Sequence, residues 1–146
     1  MDRLAVRPEA LFVYGTLLFP DVLVALVDRV PDRTPATAAG WRAAALLGHA
    51  YPGLVTAAGC TADGLLLTGL TLREWRVIDT FENGGYDLTE LTLADGRRAW
   101  TYACTQDVVA LPDDWSAERF AAHHLAEFVD RCQAWRRDFE AADRTG

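Results

Sequence analysis

Three short segments hold the groups in this chain best suited to chemistry. The first is Leu11-Phe12-Val13-Tyr14-Gly15-Thr16-Leu17, an apolar run that breaks at a glycine. Its first half reads as a buried strand, and beyond Leu18 a helix is expected to begin at Phe19-Pro20-Asp21. A strand that stops at Gly-Thr just before a helix leaves several backbone N–H groups unpaired and aimed the same way. That is a cradle for a carboxylate or a polarised carbonyl oxygen. The second segment is Tyr51-Pro52-Gly53-Leu54-Val55, and the third is Asp79-Thr80-Phe81-Glu82-Asn83-Gly84-Gly85-Tyr86, with two carboxylates before a glycine turn. Taken singly, strand–glycine–helix junctions are common, and Glu82 reads as a solvated glutamate at a helix end. Their combination and order carry the meaning.

The elements that must position these groups follow from periodicity. Leu11 to Tyr14 is the first strand, and a helix from Asp21 to Arg29 puts Val22, Leu23, Leu26, Val27 and Val30 on one face. Pro31 and Pro35 end it and begin an extended stretch through Trp41 to Leu47, and Gly64 to Leu70 reads as a buried strand. Thr71-Leu72-Arg73-Glu74 is a capping box that starts a helix running toward Asp79, with Leu72, Trp75 and Ile78 facing the core. Asn83-Gly84-Gly85 is expected to stop that helix and leave Glu82 just past its end. Tyr86 to Leu93 returns as a strand, with a bulge near Thr89 because Leu88 and Leu91 break the alternation. Asp95-Gly96 is read as a two-residue hairpin turn, after which Trp100, Tyr102 and Cys104 share a strand face. A long helix from about Ser116 to Phe139 carries the stripe Leu125, Phe128, Cys132, Trp135 and Phe139. Strands outnumber helices and are scattered between them, which favours a single α+β domain over residues 1–146 with its core at about 11–139.

Composition narrows the function. Apolar residues make up 51% of the 146 and charged residues 24%, as in an ordinary globular domain. A net charge of −7 argues against a nucleic-acid partner, which needs a basic stripe. All 14 basic residues are arginine, so Schiff-base and lysine-base mechanisms are excluded. Met1 to Pro8 lacks the apolar centre of a signal peptide, and Leu11 to Leu18 is too short to span a bilayer, so no membrane partner and a cytoplasmic location are expected. Cys60, Cys104 and Cys132 form an odd, widely spaced set, read as reduced and structural. His123 and His124 are neighbours on a helix and point apart, so no metal site is expected there; His49, beside the second segment, is read as structural or surface.

In order and approximate spacing the three segments resemble the γ-glutamylcyclotransferase family, most closely its avirulence-induced-gene-like and γ-glutamylamine branch. The resemblance runs from Leu11 to about Phe139. It implies a γ-glutamylcyclotransferase-like fold: a small, mixed, largely closed β-sheet or barrel with flanking helices and a long C-terminal helix. It also implies an enzyme that releases 5-oxoproline from a small γ-glutamyl amine, γ-glutamyl amino acid or related metabolite. The substrate's own α-amino group attacks its γ-carbonyl, so neither metal nor organic cofactor is called for.

Residue by residue, the resemblance makes Glu82 the acid/base. Tyr14, Gly15, Thr16 and Leu17 form the substrate loop, Tyr51 and Pro52 a wall beside it, and Tyr86 a substrate contact or a buttress for Glu82. Thr16 would act through its backbone amide, since serine is common there in the family. Asp79 is the rival carboxylate, expected to cap or pair locally. Family members often carry arginine two residues after the tyrosine matching Tyr86, and here that residue is Leu88. The departure keeps open a non-catalytic binder of small carboxylates on the same scaffold, and a γ-glutamyl amide hydrolase is the other alternative. The leaving amine and the choice between monomer and homodimer are not legible in the sequence.

Overall fold

Among the described residues, six strands curl into a half-barrel sheet with four helices around it. The computed structural model describes residues 10–82, 86–104 and 108–145. In chain order the elements are β1 (Ala10–Val13), a 3-10 turn (Thr16–Leu18), α1 (Pro20–Val27), β2 (Asp32–Leu46), β3 (Pro52–Thr68) and α2 (Leu72–Glu82). They continue with β4 (Tyr86–Thr92), β5 (Arg98–Cys104), β6 (Ala110–Asp114), α3 (Ala117–His123) and α4 (Leu125–Thr145). The sheet order is β4-β5-β1-β3-β2-β6, with β1 antiparallel to β3 and parallel to β5. This is the α+β architecture the sequence implied.

Both faces of the sheet are covered, and strand periodicity divides the core in two. Leu11 and Val13 of β1, Leu67 of β3 and Tyr102 of β5 face the helices, packing with Leu26, Trp75, Ile78 and Cys132. Phe12, Tyr14, Leu54, Leu66 and Ala99 point into the curl of the sheet. The same division explains β4. Leu88 packs on the helix side and Leu91 inside the curl, while β4 and β5 stay in unbroken register from Tyr86↔Cys104 to Thr92↔Arg98. The expected bulge near Thr89 is absent: alternation fails because both faces are apolar, not because a residue is inserted.

Local chemistry sets the helix starts. Pro20 occupies the first turn of α1, where its missing N–H costs nothing, and Asp21 complements the helix dipole. The capping box of α2 forms as read: Glu74 N donates to Thr71 Oγ1 at 3.1 Å and Thr71 N donates to Glu74 Oε1 at 2.9 Å. Trp75 and Ile78 are buried, but Leu72, in the first turn, is 40% exposed and does not join the core as expected.

Four further expectations are corrected. Gly64 begins no strand of its own: β3 already starts at Pro52 and ends at Thr68, short of Leu70. Residues 93–97 form a longer hairpin than the two-residue turn. Leu93 N bonds Arg97 O at 2.7 Å around Ala94-Asp95-Gly96, and Gly96 takes the left-handed conformation (φ 91°) that a bulged three-residue loop requires. The long C-terminal helix is broken at His124, whose φ of −133° does not continue α3. The break turns Phe120 onto Phe19 and Trp115, at ring distances of 5.5 and 5.6 Å, while α4 keeps its stripe against the other helices. Finally, α2 includes Glu82, so that residue belongs to the helix and does not lie just past it. The expected stop at Asn83-Gly84-Gly85 lies outside the described residues, as does Met1 to Pro8.

Candidate active site

At the end of β1 the chain leaves the sheet at Tyr14 and Gly15 and winds into the 3-10 turn. Leu18 N donates to Gly15 O at 2.9 Å and Phe19 N to Thr16 O at 3.3 Å. The amides at the start of such a turn have no partner inside it and project together from its end. Gly15 is dictated by its neighbour. A Cβ there would lie 2.5 Å from Cγ and 3.1 Å from Cδ of Pro52, the first residue of β3. The Tyr-Gly and Tyr-Pro segments are thus two halves of one packed wall. Thr101 of β5 ties the same strand end from the other side, its Oγ1 donating to Phe12 O at 2.9 Å.

Glu82 reaches this wall from the end of α2. A narrow cleft is lined by Tyr14, Gly15, Thr16, Leu17, Pro52, Glu82, Tyr86 and Tyr102, among others. Three phenols surround the carboxylate, and each directs its proton to a protein acceptor. Tyr14 donates to Tyr102 O, Tyr86 to Pro52 O at 2.7 Å, and Tyr102 to Asp79 Oδ1 at 2.9 Å. Burial, and then the negative charge of Glu82, hold the Tyr14 phenol well above its ordinary pKa. Tyr86 is raised too, by burial first and then by Tyr14 and Glu82. Both therefore stay protonated across the physiological range, and their oxygens can accept a hydrogen bond but supply no base. Cys132 on α4 is pushed up to about 12 by burial, with Glu82 adding to the effect, so its thiol is inert. Among the described lining residues no side chain is cationic. The arrangement offers backbone amides for an oxyanion or carboxylate, phenol oxygens for N–H donors, and one carboxylate able to move a proton.

Of the residues the sequence pointed to, the structure brings Tyr14, Gly15, Thr16, Leu17, Pro52, Glu82 and Tyr86 to this cleft. Tyr51 does not line it. Its ring stands 4.7 Å from His49 and 6.2 Å from Tyr86, facing an adjoining hollow, so it backs Tyr86 from outside. Asp79 accepts the Tyr102 hydroxyl, a partner 23 residues away in sequence. Leu88 packs in the helix-side core and is not part of the cleft wall. Tyr102 is the cleft residue that sequence reasoning missed. Its strand face was legible, but the parallel pairing of β5 with β1, which brings it beside Tyr14, joins segments far apart in the chain. Among the described residues no group of three or more histidine, cysteine, aspartate or glutamate side chains is placed to hold a metal ion. No helix among them is long and apolar enough to cross a membrane.

The family profile described as "Gamma-glutamyl cyclotransferase, AIG2-like" matches residues 11–121. AIG2-like protein C of Arabidopsis thaliana is 33% identical over 125 residues, covering 82% of this chain and 73% of that protein. A solution structure of another Arabidopsis thaliana protein superposes with a TM-score of 0.64 at 26% identity, covering 87% of this chain and 89% of the other. A structure described as gamma-glutamyl cyclotransferase shares the fold at a TM-score of 0.58 and 12% identity, covering 88% of each chain.

Proposed function

Since the chain belongs to the AIG2-like gamma-glutamyl cyclotransferase family, we propose that it is a cyclotransferase that releases 5-oxoproline from a small γ-glutamyl compound, with Glu82 as its acid/base. One observation carries this reading: Glu82 and the loop Tyr14 to Leu17, distant in sequence, line one cleft. The substrate's α-nitrogen attacks its γ-carbonyl carbon. The amide bond to the leaving amine breaks, and a five-membered lactam forms. Holding both reacting groups in one folded molecule removes much of the entropic barrier. Glu82 takes the proton released by the attacking nitrogen and returns it to the departing one, so the step balances without water or redox change. Amides of the 3-10 turn stabilise the oxyanion, and the phenol oxygens orient the α-amino group, which attacks as the neutral amine.

Leu88 weighs little against catalysis, because its position faces the helix-side core and its change removes no charge from the cleft wall. The test is incubation with a panel of γ-glutamyl amines and amino acids, read by mass spectrometry. Release of 5-oxoproline supports the proposal. Free glutamate in its place means hydrolysis, and 5-oxoproline binding without turnover of any compound means a binder.

A further inference from the structure

The Tyr102 hydroxyl is buried in the cleft wall and gives its proton to Asp79, not to solvent. Asp79 lies three residues before Glu82 on α2, so the two share a helix face with Cβ atoms about 5–6 Å apart. The link is anchored at its far end too. Tyr102 O accepts the Tyr14 hydroxyl, so the substrate loop, β5 and α2 meet through one tyrosine. We propose that Asp79 and Tyr102 form a positioning pair for Glu82: the phenol fixes the Asp79 carboxylate one turn behind it on α2, where a second negative charge strengthens Glu82's hold on a proton. A carboxylate that must both accept and return a proton needs that help, because an ordinary glutamate is too weak a base near neutrality.

Among the described residues, titratable groups facing Glu82 include Tyr14 from the β1 end, Tyr86 from β4, Tyr102 from β5 and Cys132 from α4, with Cys104 beside the two phenols. Burial keeps Tyr14, Tyr86, Cys104 and Cys132 neutral in the working range. Arg131 is the neighbouring cation, and its charge reaches Cys132 from the exposed side of α4.

The test is Asp79→Asn, which keeps an oxygen for the Tyr102 hydroxyl and removes only the charge. Carboxyl-13C NMR titration follows Glu82, its signal assigned by its loss in Glu82→Gln. The midpoint is expected to fall by about one pH unit, as for like charges at this spacing and partial solvation. An unmoved midpoint overturns the pairing, and this readout needs no substrate. The kinetic part rests on the proposed cyclotransferase activity. There the acid limb of kcat/KM should move down with the midpoint, and kcat should drop several-fold with KM little changed. Tyr102→Phe, which removes this hydrogen bond to Asp79 but keeps its charge, should also lower kcat, and the double variant should be no worse than the poorer single one. Additive losses overturn the claim that the two act as a unit. A shifted midpoint with no 5-oxoproline from any γ-glutamyl compound leaves the coupling standing and removes the proposed reaction instead.

Discussion

Gly15→Ala tests the packed wall, and its size can be worked from the geometry. The new Cβ would lie 2.5 Å from Pro52 Cγ, a ring atom that cannot swing aside. Carbon atoms in contact ordinarily sit about 3.5–4.0 Å apart, so loop and ring must separate by about 1 Å. Overpacking of this kind costs about 1–3 kcal/mol, which in a domain of this size lowers Tm by roughly 3–10 °C. The functional loss should be larger in proportion. A displacement of about 1 Å at a positioning element can cost about a hundredfold in rate, and here the displaced element supplies the amides themselves. Gly15→Val, with two more carbons, should abolish turnover, whereas Thr16→Ser keeps the backbone amide and should be mild. Initial rates of 5-oxoproline release and thermal melts give both quantities. Pro52→Ala supplies the decisive control. It removes Cγ and Cδ, yet Tyr86 bonds the Pro52 backbone oxygen, so that contact survives. The Gly15→Ala/Pro52→Ala double variant should recover at least tenfold of the lost rate. If Gly15→Ala turns over normally, or Pro52→Ala brings no recovery, the steric argument is wrong.

Glu82→Gln should leave the melt near wild type and lower kcat by at least the hundred- to ten-thousand-fold typical of acid–base catalysis, toward the upper end because one group serves two transfers. Retention of more than about a tenth of wild-type turnover would remove Glu82 as the proton carrier. Glu74 gives a stability test away from the cleft. Its carboxylate receives Arg29 at 2.6 and 2.7 Å, and that bond, with the Thr71 amide, holds its pKa below the ordinary value of 4.5. A depressed folded pKa stabilises the protein above the unfolded pKa and loses that contribution as pH falls through the folded one. The gap in stability between wild type and Glu74→Gln should therefore be full above about pH 4.5 and close in more acid solution; denaturant melts showing a pH-independent gap would contradict this. Thr71→Ala breaks the capping box and should cost about 1 kcal/mol, with kcat unchanged.

What could be read from the sequence was local chemistry. Pro20 at a helix start, Thr71 and Glu74 in a capping box, and the stripe from Leu125 to Phe139 each depend on near neighbours, and each forms in the structure. What could not be read depends on distant partners. The segment Ala110-Leu-Pro-Asp-Asp has the composition of a loop, yet it is the edge strand β6. Arg42 of β2 holds it, donating to Leu111 O at 2.8 Å, Asp113 O at 3.1 Å and Pro112 O at 3.3 Å. An edge tolerates proline because the outward N–H is not needed. Leu88 and Leu91 suggested a bulge because a sequence does not say whether one or both faces of a strand will be covered.

The cleft divides the same way. Its loop and its glutamate announce themselves as motifs because their roles are set by backbone geometry and residue type. Tyr102 has no motif. In sequence it is one aromatic in an alternating strand, and only the pairing of β5 with β1 turns it into the link between Tyr14 and Asp79. That link also explains how a helix end can present a carboxylate with precision. The last turn of a helix frays readily, since its carbonyls lack partners. Here α2 is held one turn earlier by the Tyr102 phenol, and the backbone carbonyl of the same residue accepts the Tyr14 hydroxyl. On the proposed reading, the strand end that supplies the amides also ties down the helix that carries Glu82, so carboxylate and amides would keep their spacing together.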